Sequence, residues 1–133
     1  MSALEARIAA SFARQGMMRT LGGSLERVEP GLVRVSAEVT AATSQQQGAG
    51  HAALTFALAD TAAGFAALTL MDEGMEVVTS EFRISLLAPA TGRLVAEGRV
   101  IRPGRRLLAV AADVRAGDVL VATALGTMVP VRG

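Results

Sequence analysis

The chain has 133 residues, 51% of them hydrophobic and 19% charged, which bounds one folded domain over 1–133 and excludes a disordered tail or a coiled coil. Thirteen Arg and no Lys against twelve acidic residues leave a net charge of +1, with 3% aromatic residues and no Trp or Tyr, so a nucleic-acid partner is not expected. The absence of cysteine excludes disulfides, thiolate nucleophiles and Cys-ligated zinc, and fits a reducing compartment.

The N-terminus, Met1-Ser2-Ala3-Leu4-Glu5, lacks a basic region followed by an apolar run, so a cytoplasmic protein is the expectation. Ser2-x-x-Glu5 reads as a capping box, in which hydroxyl and carboxylate satisfy opposite orphan amides. Leu4, Ile8 and Phe12 recur at spacing four, with Arg7 and Arg14 off that stripe; this predicts an amphipathic helix ending near Gly16, with Gly22-Gly23 breaking any continuation. Residues 25–39 predict a hairpin turning at Glu29-Pro30-Gly31. Its second strand alternates Val33, Val35, Ala37 and Val39 with Arg34, Ser36 and Glu38.

A polar loop over 43–50 leads into His51 and then an apolar stretch over 52–71. Its length would span a bilayer. Asp60 near its centre would cost roughly 2.5–3.5 kcal/mol there, and much of the rest is Ala, Thr and Gly. A helix wrapped by a sheet is the better reading, and no membrane partner is expected. Beyond Gly74, strands are predicted over about 76–87, 93–102, 106–115 and 118–129, separated by turn residues. Short connections suggest antiparallel hairpins, so these four strands are expected to form a meander covering the helix, an α+β arrangement.

Asp60 is the most informative residue. Its helical neighbours Phe56, Ala57, Ala63 and Gly64 are apolar, small or both, and an ionised carboxylate is costly there unless paired or hydrogen-bonded. Two readings stand side by side: a catalytic carboxylate beside a substrate channel, or an Asp at a solvated subunit interface or against a buried Arg. His51 is the only histidine and opens the helix, where free amides and the helix dipole can stabilise an oxyanion. The Ala52 amide could hold a carbonyl oxygen while His51 orients the loop; a plain capping His is the other reading. No second His or Cys exists to complete a metal site, so no metal is expected.

Gly50-His51-Ala52-Ala53 followed by Leu58-Ala59-Asp60-Thr61-Ala62 resembles the "HGG…LADTA" signature of hotdog thioesterases of the phenylacetate-pathway (PaaI) type. The stretch from Glu81 to Pro89-Ala90, and the later Gly98-Arg99-Val100 and Val121-Ala122-Thr123-Ala124, are similar to that family's strands. The resemblance implies a hotdog fold, a curved antiparallel sheet around one long helix. It also implies an acyl-coenzyme A thioesterase that needs no cofactor, because coenzyme A is part of the substrate. Homodimers pairing into homotetramers, with active sites at the dimer interface, follow from it too. By the same resemblance Asp60 is general base or nucleophile, His51 is the family His, and Ala52 gives the oxyanion-hole amide. Gln45 stands where relatives place an Asn, and Thr79 at the position of a Ser or Thr. Strand parity groups Thr79 with Glu81 and Arg83 and turns it away from the helix. Both glycines after the His are Ala here. Arg102, Arg105 and Arg106 form the densest guanidinium cluster for coenzyme A phosphates, or are simply exposed turn charges. Two rivals keep the fold. An enoyl-CoA hydratase would carry a D-x-N-P-x-H string that this sequence lacks; a non-catalytic acyl-CoA binding module is motivated by the altered glycines.

Overall fold

Ser2 opens the first helix in the computed structural model, which describes residues 1–133. Its hydroxyl accepts from the Glu5 amide at 3.1 Å, and the Glu5 carboxylate accepts from the Ser2 amide at 3.3 Å. Helix α1 (Ala3–Ala13) buries Ile8 and half-buries Leu4 and Phe12, as the spacing-four stripe predicts. Arg7 departs from expectation. It is half-buried, and its guanidinium donates to the carbonyls of Met71 and Asp72, both at 2.9 Å. It therefore satisfies carbonyls just beyond the C-terminal end of the central helix, where a cation is favoured. The chain also forms a second short helix, α2 (Gly16–Leu21), before Gly22 stops it at φ 71°.

Strands β1 (Ser24–Glu29) and β2 (Leu32–Glu38) form the predicted hairpin, and Val33, Val35 and Ala37 enter the core. After the loop comes α3 (Ala52–Leu68), followed by β3 (Met75–Leu86), β4 (Arg93–Pro103), β5 (Leu108–Ala116) and β6 (Val119–Arg132). All pairings are antiparallel, and the strand order is β1-β2-β4-β5-β6-β3. The expected four-strand meander is thus corrected: only β4, β5 and β6 form one. β4 pairs with β2, and β3 lies at the far edge against β6. Helix α3 carries the chain across the sheet, so β3 emerges beside β6 rather than beside β2. The six residues 87–92 then return the chain past β6 and β5. That is three inter-strand steps, about 14 Å, within the ~20 Å reach of six extended residues.

The sheet wraps α3, giving the α+β hotdog arrangement. Leu54, Leu58, Ala59, Ala62, Ala63 and Ala66–Leu68 face the core, while Ala53, Phe56, Ala57, Asp60 and Thr61 lie along an open side. Gly98 on β4 sets how closely helix and sheet approach. A Cβ there would lie 2.3 Å from the main-chain atoms of Ala62 and Ala63, so no other residue fits. No helix is long and apolar enough to cross a membrane.

Candidate active site

Asp60 sits on the open side of α3, half-buried, one turn beyond Phe56 and one turn before Gly64. Thr79 of β3 donates its hydroxyl to Asp60 Oδ1 at 2.7 Å. Simple alternation had turned Thr79 away from the helix; the structure corrects this. A β-bulge between Thr79 and Glu81 breaks the alternation: Thr79 pairs with Met128, and Glu81 with the adjacent Thr127. The extra residue, Ser80, puts Thr79 on the helix side together with Phe82. Burial pushes the Asp60 carboxyl above its usual range, and the Thr79 hydrogen bond pulls part of that shift back. None of the six ion pairs includes Asp60, so the reading of a carboxylate held by a buried Arg falls away. Beside it opens a recess of about 120 Å³ lined by Thr61, Gly64, Phe65, Val77, Thr79 and Gln15.

The second group gathers at the start of α3. His51 is the N-cap, and its Nδ1 accepts from the Ala53 amide at 2.9 Å, which requires the ring to carry its proton on Nε2. The amides of Leu54 and Thr55 donate to the His51 carbonyl at 3.0 and 3.5 Å. The Ala52 amide, alone of the first turn, has no acceptor within the chain. The capping and oxyanion readings of His51 are therefore compatible: capping uses the Ala53 N–H and leaves that of Ala52 free.

Around this turn lies a cleft of about 800 Å³ lined by the 45–52 loop, Leu86, Ala88–Thr91 and Val121. The loop is pinned there by Gly50, whose amide donates to the Ala90 carbonyl at 2.7 Å. A Cβ on Gly50 would meet the Ala90 Cβ at 3.2 Å, so the Pro89-Ala90 pair forms the seat of the His51 loop. Gln45 is half-buried in the same loop. Its side-chain oxygen accepts from the Gln47 amide and its nitrogen faces the Gln47 carboxamide at 3.4 Å, so it is engaged locally.

Within one chain these two groups do not meet. Nine residues of helix separate His51 from Asp60, about 13 Å along the axis. The three arginines lie elsewhere again. Arg102 lies one residue before the end of β4, and Arg105 lines a recess with Met71, Asp72 and Met75, near the far end of α3. Arg102, Arg105 and Arg106 form no ion pair with any carboxylate of the chain. Sequence reasoning missed Gln15 altogether, because a polar residue after an amphipathic helix gives no sign of what it will face.

Comparison with known proteins points one way. Residues 47–123 match the family model of the thioesterase superfamily. A protein of Saccharolobus solfataricus that carries an esterase assignment is 34% identical over 116 residues, covering 84% of this chain and 75% of that one. A thioesterase family protein from Silicibacter pomeroyi, known by its crystal structure, is 34% identical, with a TM-score of 0.93 over 98% of this chain and 100% of the other. The Escherichia coli PaaI protein of the phenylacetic acid degradation operon shares the fold, at 22% identity and a TM-score of 0.89 over 98% and 94% of the two chains. With Asp60 unpaired by any cation, a free amide opening the same helix, and this agreement over most of its length, the chain belongs to the thioesterase superfamily, hotdog-fold proteins that hydrolyse thioesters.

Proposed function

We propose that this protein hydrolyses an acyl-coenzyme A thioester to the free acid and coenzyme A, at a site built from two protomers. The observation that carries the reading is Asp60 itself: a half-buried carboxylate, unpaired by any cation, oriented by Thr79 and opening onto a recess. Burial that raises the pKa of a carboxylate makes it a stronger base than an exposed one. As base, Asp60 takes a proton from water; the oxygen attacks the thioester carbonyl, and the tetrahedral oxyanion is held by the Ala52 amide of the partner protomer. Collapse expels coenzyme A thiolate, and the proton returns to it. As nucleophile, Asp60 would attack the carbonyl directly and expel coenzyme A thiolate, forming a mixed anhydride that water then cleaves to free acid and Asp60. The Ala at positions 52 and 53 leaves the backbone N–H in place, so the altered glycines do not remove the oxyanion donor.

Two observations support the shared site. Asp60 and the free Ala52 amide are too far apart on one helix to serve a single carbonyl. Strand β3 also presents a twelve-residue edge paired only with β6, with Val78 and Leu86 about half exposed along it. Such an edge calls for a partner strand, and a second β3 placed antiparallel would bring the open sides of two α3 helices near each other. Gln45 would position water or thioester from the loop. Arg102, Arg105 and Arg106 would bind the phosphates of coenzyme A, and two dimers would pair into a tetramer in the cytoplasm.

The deciding experiment is free-thiol release from a panel of aryl and aliphatic acyl-CoA esters by native protein and Asp60→Asn. Loss of about 10²–10⁴-fold in kcat/KM with an unchanged melting profile is expected. Hydrolysis at the native rate by the variant would remove Asp60 from the mechanism. Tight acyl-CoA binding with no thiol release by the native protein would mean a binding module instead.

A further inference from the structure

The recess beside Asp60 has one wall that comes from far away in sequence. Thr61, Gly64, Phe65, Val77 and Thr79 belong to α3 and β3, whereas Gln15 comes from the junction of α1 and α2. Position 15 lies outside residues 47–123, so this wall is not part of what the superfamily match covers.

Gln15 is not there for the helix it introduces. It occupies the N-cap position of α2 yet makes no side-chain capping bond, and Gln is a poor choice for that position. Its main-chain groups are used: the amide donates to the Phe12 carbonyl at 3.0 Å, and its carbonyl accepts from the Arg19 amide at 3.4 Å. Its side-chain carboxamide makes no hydrogen bond within the chain and is half-buried at the recess. The remaining walls are small or apolar apart from Thr61 and the Thr79 hydroxyl, which is already engaged with Asp60. At Gly64 an added Cβ would find its nearest neighbours, Met128 and Val77, at 3.9–4.0 Å; the floor is open there because a side chain is missing.

The space is about 120 Å³, room for roughly four water-sized groups. That matches the four non-hydrogen atoms that a 3-hydroxybutyryl group carries beyond its carbonyl. We propose that this recess receives the acyl chain and that Gln15 is its specificity-determining residue, selecting a short acyl group that bears a hydroxyl or oxo group over the plain hydrocarbon. The inference rests on thioester hydrolysis at Asp60. Its physical basis is that the Gln15 carboxamide lines the recess with no partner inside the chain, so an acyl group that hydrogen-bonds to it is favoured over one that displaces its solvent and returns no bond.

The test compares butyryl with 3-hydroxybutyryl, and acetyl with butyryl, each presented both as the coenzyme A ester and as the N-acetylcysteamine thioester, which keeps the acyl group and lacks the nucleotide. Native protein should favour the hydroxylated ester in kcat/KM, and Gln15→Leu should lower that preference about tenfold, mainly by slowing the hydroxylated member. Should Gln15→Leu fail to fold, Gln15→Ala on the same pair reads the same ratio. Gly64→Ala, which adds one methyl to the floor without touching backbone, should lower butyryl relative to acetyl. No native preference, a preference that survives loss of the Gln15 amide, or an acetyl-to-butyryl ratio unmoved by Gly64→Ala would each overturn the proposal and leave hydrolysis standing. A Gln15 effect on the short thioesters with no advantage for coenzyme A would uphold it while removing the coenzyme A reading. No thiol from any ester would bring down both.

Discussion

The start of α3 and its middle are built on opposite plans. At the start, the polar groups are turned mostly toward main chain: His51 caps Ala53, Gln45 bonds to Gln47, and the one first-turn amide left unspent is the Ala52 N–H, beside a wide cleft. In the middle, one side chain matters, half-buried over a small recess and oriented from another strand by Thr79. The first region can hold negative charge and has no base. The second has a carboxylate and no free main-chain amide, its unengaged donors being the side chains of Gln15 and Thr61. Neither is a thioesterase by itself, which is why their separation of about 13 Å on one helix argues for two chains.

The comparison breaks most visibly at the two decisive groups. Beside the Asp60→Asn loss given above, Ala52→Pro removes the free N–H at the first helical position, where Pro is well tolerated, and should cost about 10²–10³-fold in kcat with the helix intact. Mixing the two inactive proteins sharpens the point. Half of randomly re-formed dimers would be mixed, each with one intact site of two, so about a quarter of native activity should return. Recovery of none would place both groups in one chain's site or remove one of them.

A smaller effect comes from Thr79→Val. Losing the hydrogen bond that lowers the Asp60 pKa leaves burial unopposed, so that pKa rises. With the carboxylate as the active form in the proposed mechanism, the acid limb of the pH–rate profile should move to higher pH, with roughly a tenfold loss below it and less above. A limb that stays put would mean another group controls the rate. Smallest for catalysis is Arg7→Met, which strips the guanidinium from the carbonyls of Met71 and Asp72. It should lower stability by about 2 kcal/mol, read as a drop in Tm, with little change in kcat per folded protein.

Local chemistry made much of this legible beforehand. The capping box at Ser2, the alternation through Val33 and Val35, the His51 start of the buried helix and the isolation of Asp60 all depend on neighbours a few residues away. What escaped depends on partners far along the chain. The place of β3 at the far edge follows from where α3 delivers it, which no hairpin spacing encodes. The helix-side orientation of Thr79 follows from a bulge, and one extra residue reverses every parity argument beyond it. Arg7 reads from the sequence only as a residue off the apolar stripe, because its acceptors lie more than sixty residues away. Gln15 was invisible for the same reason.

Gly98 has a consequence for how such a protein can diverge. With main chain of β4 against main chain of α3, the height of the helix above its sheet is fixed, and no repacking of side chains beneath can raise or lower the acid it carries. Changes of substrate must therefore come from the sides, through the N-terminal helices or the residues along the open side of α3. Engineering a larger acyl group into this scaffold should begin there and leave the central contact alone.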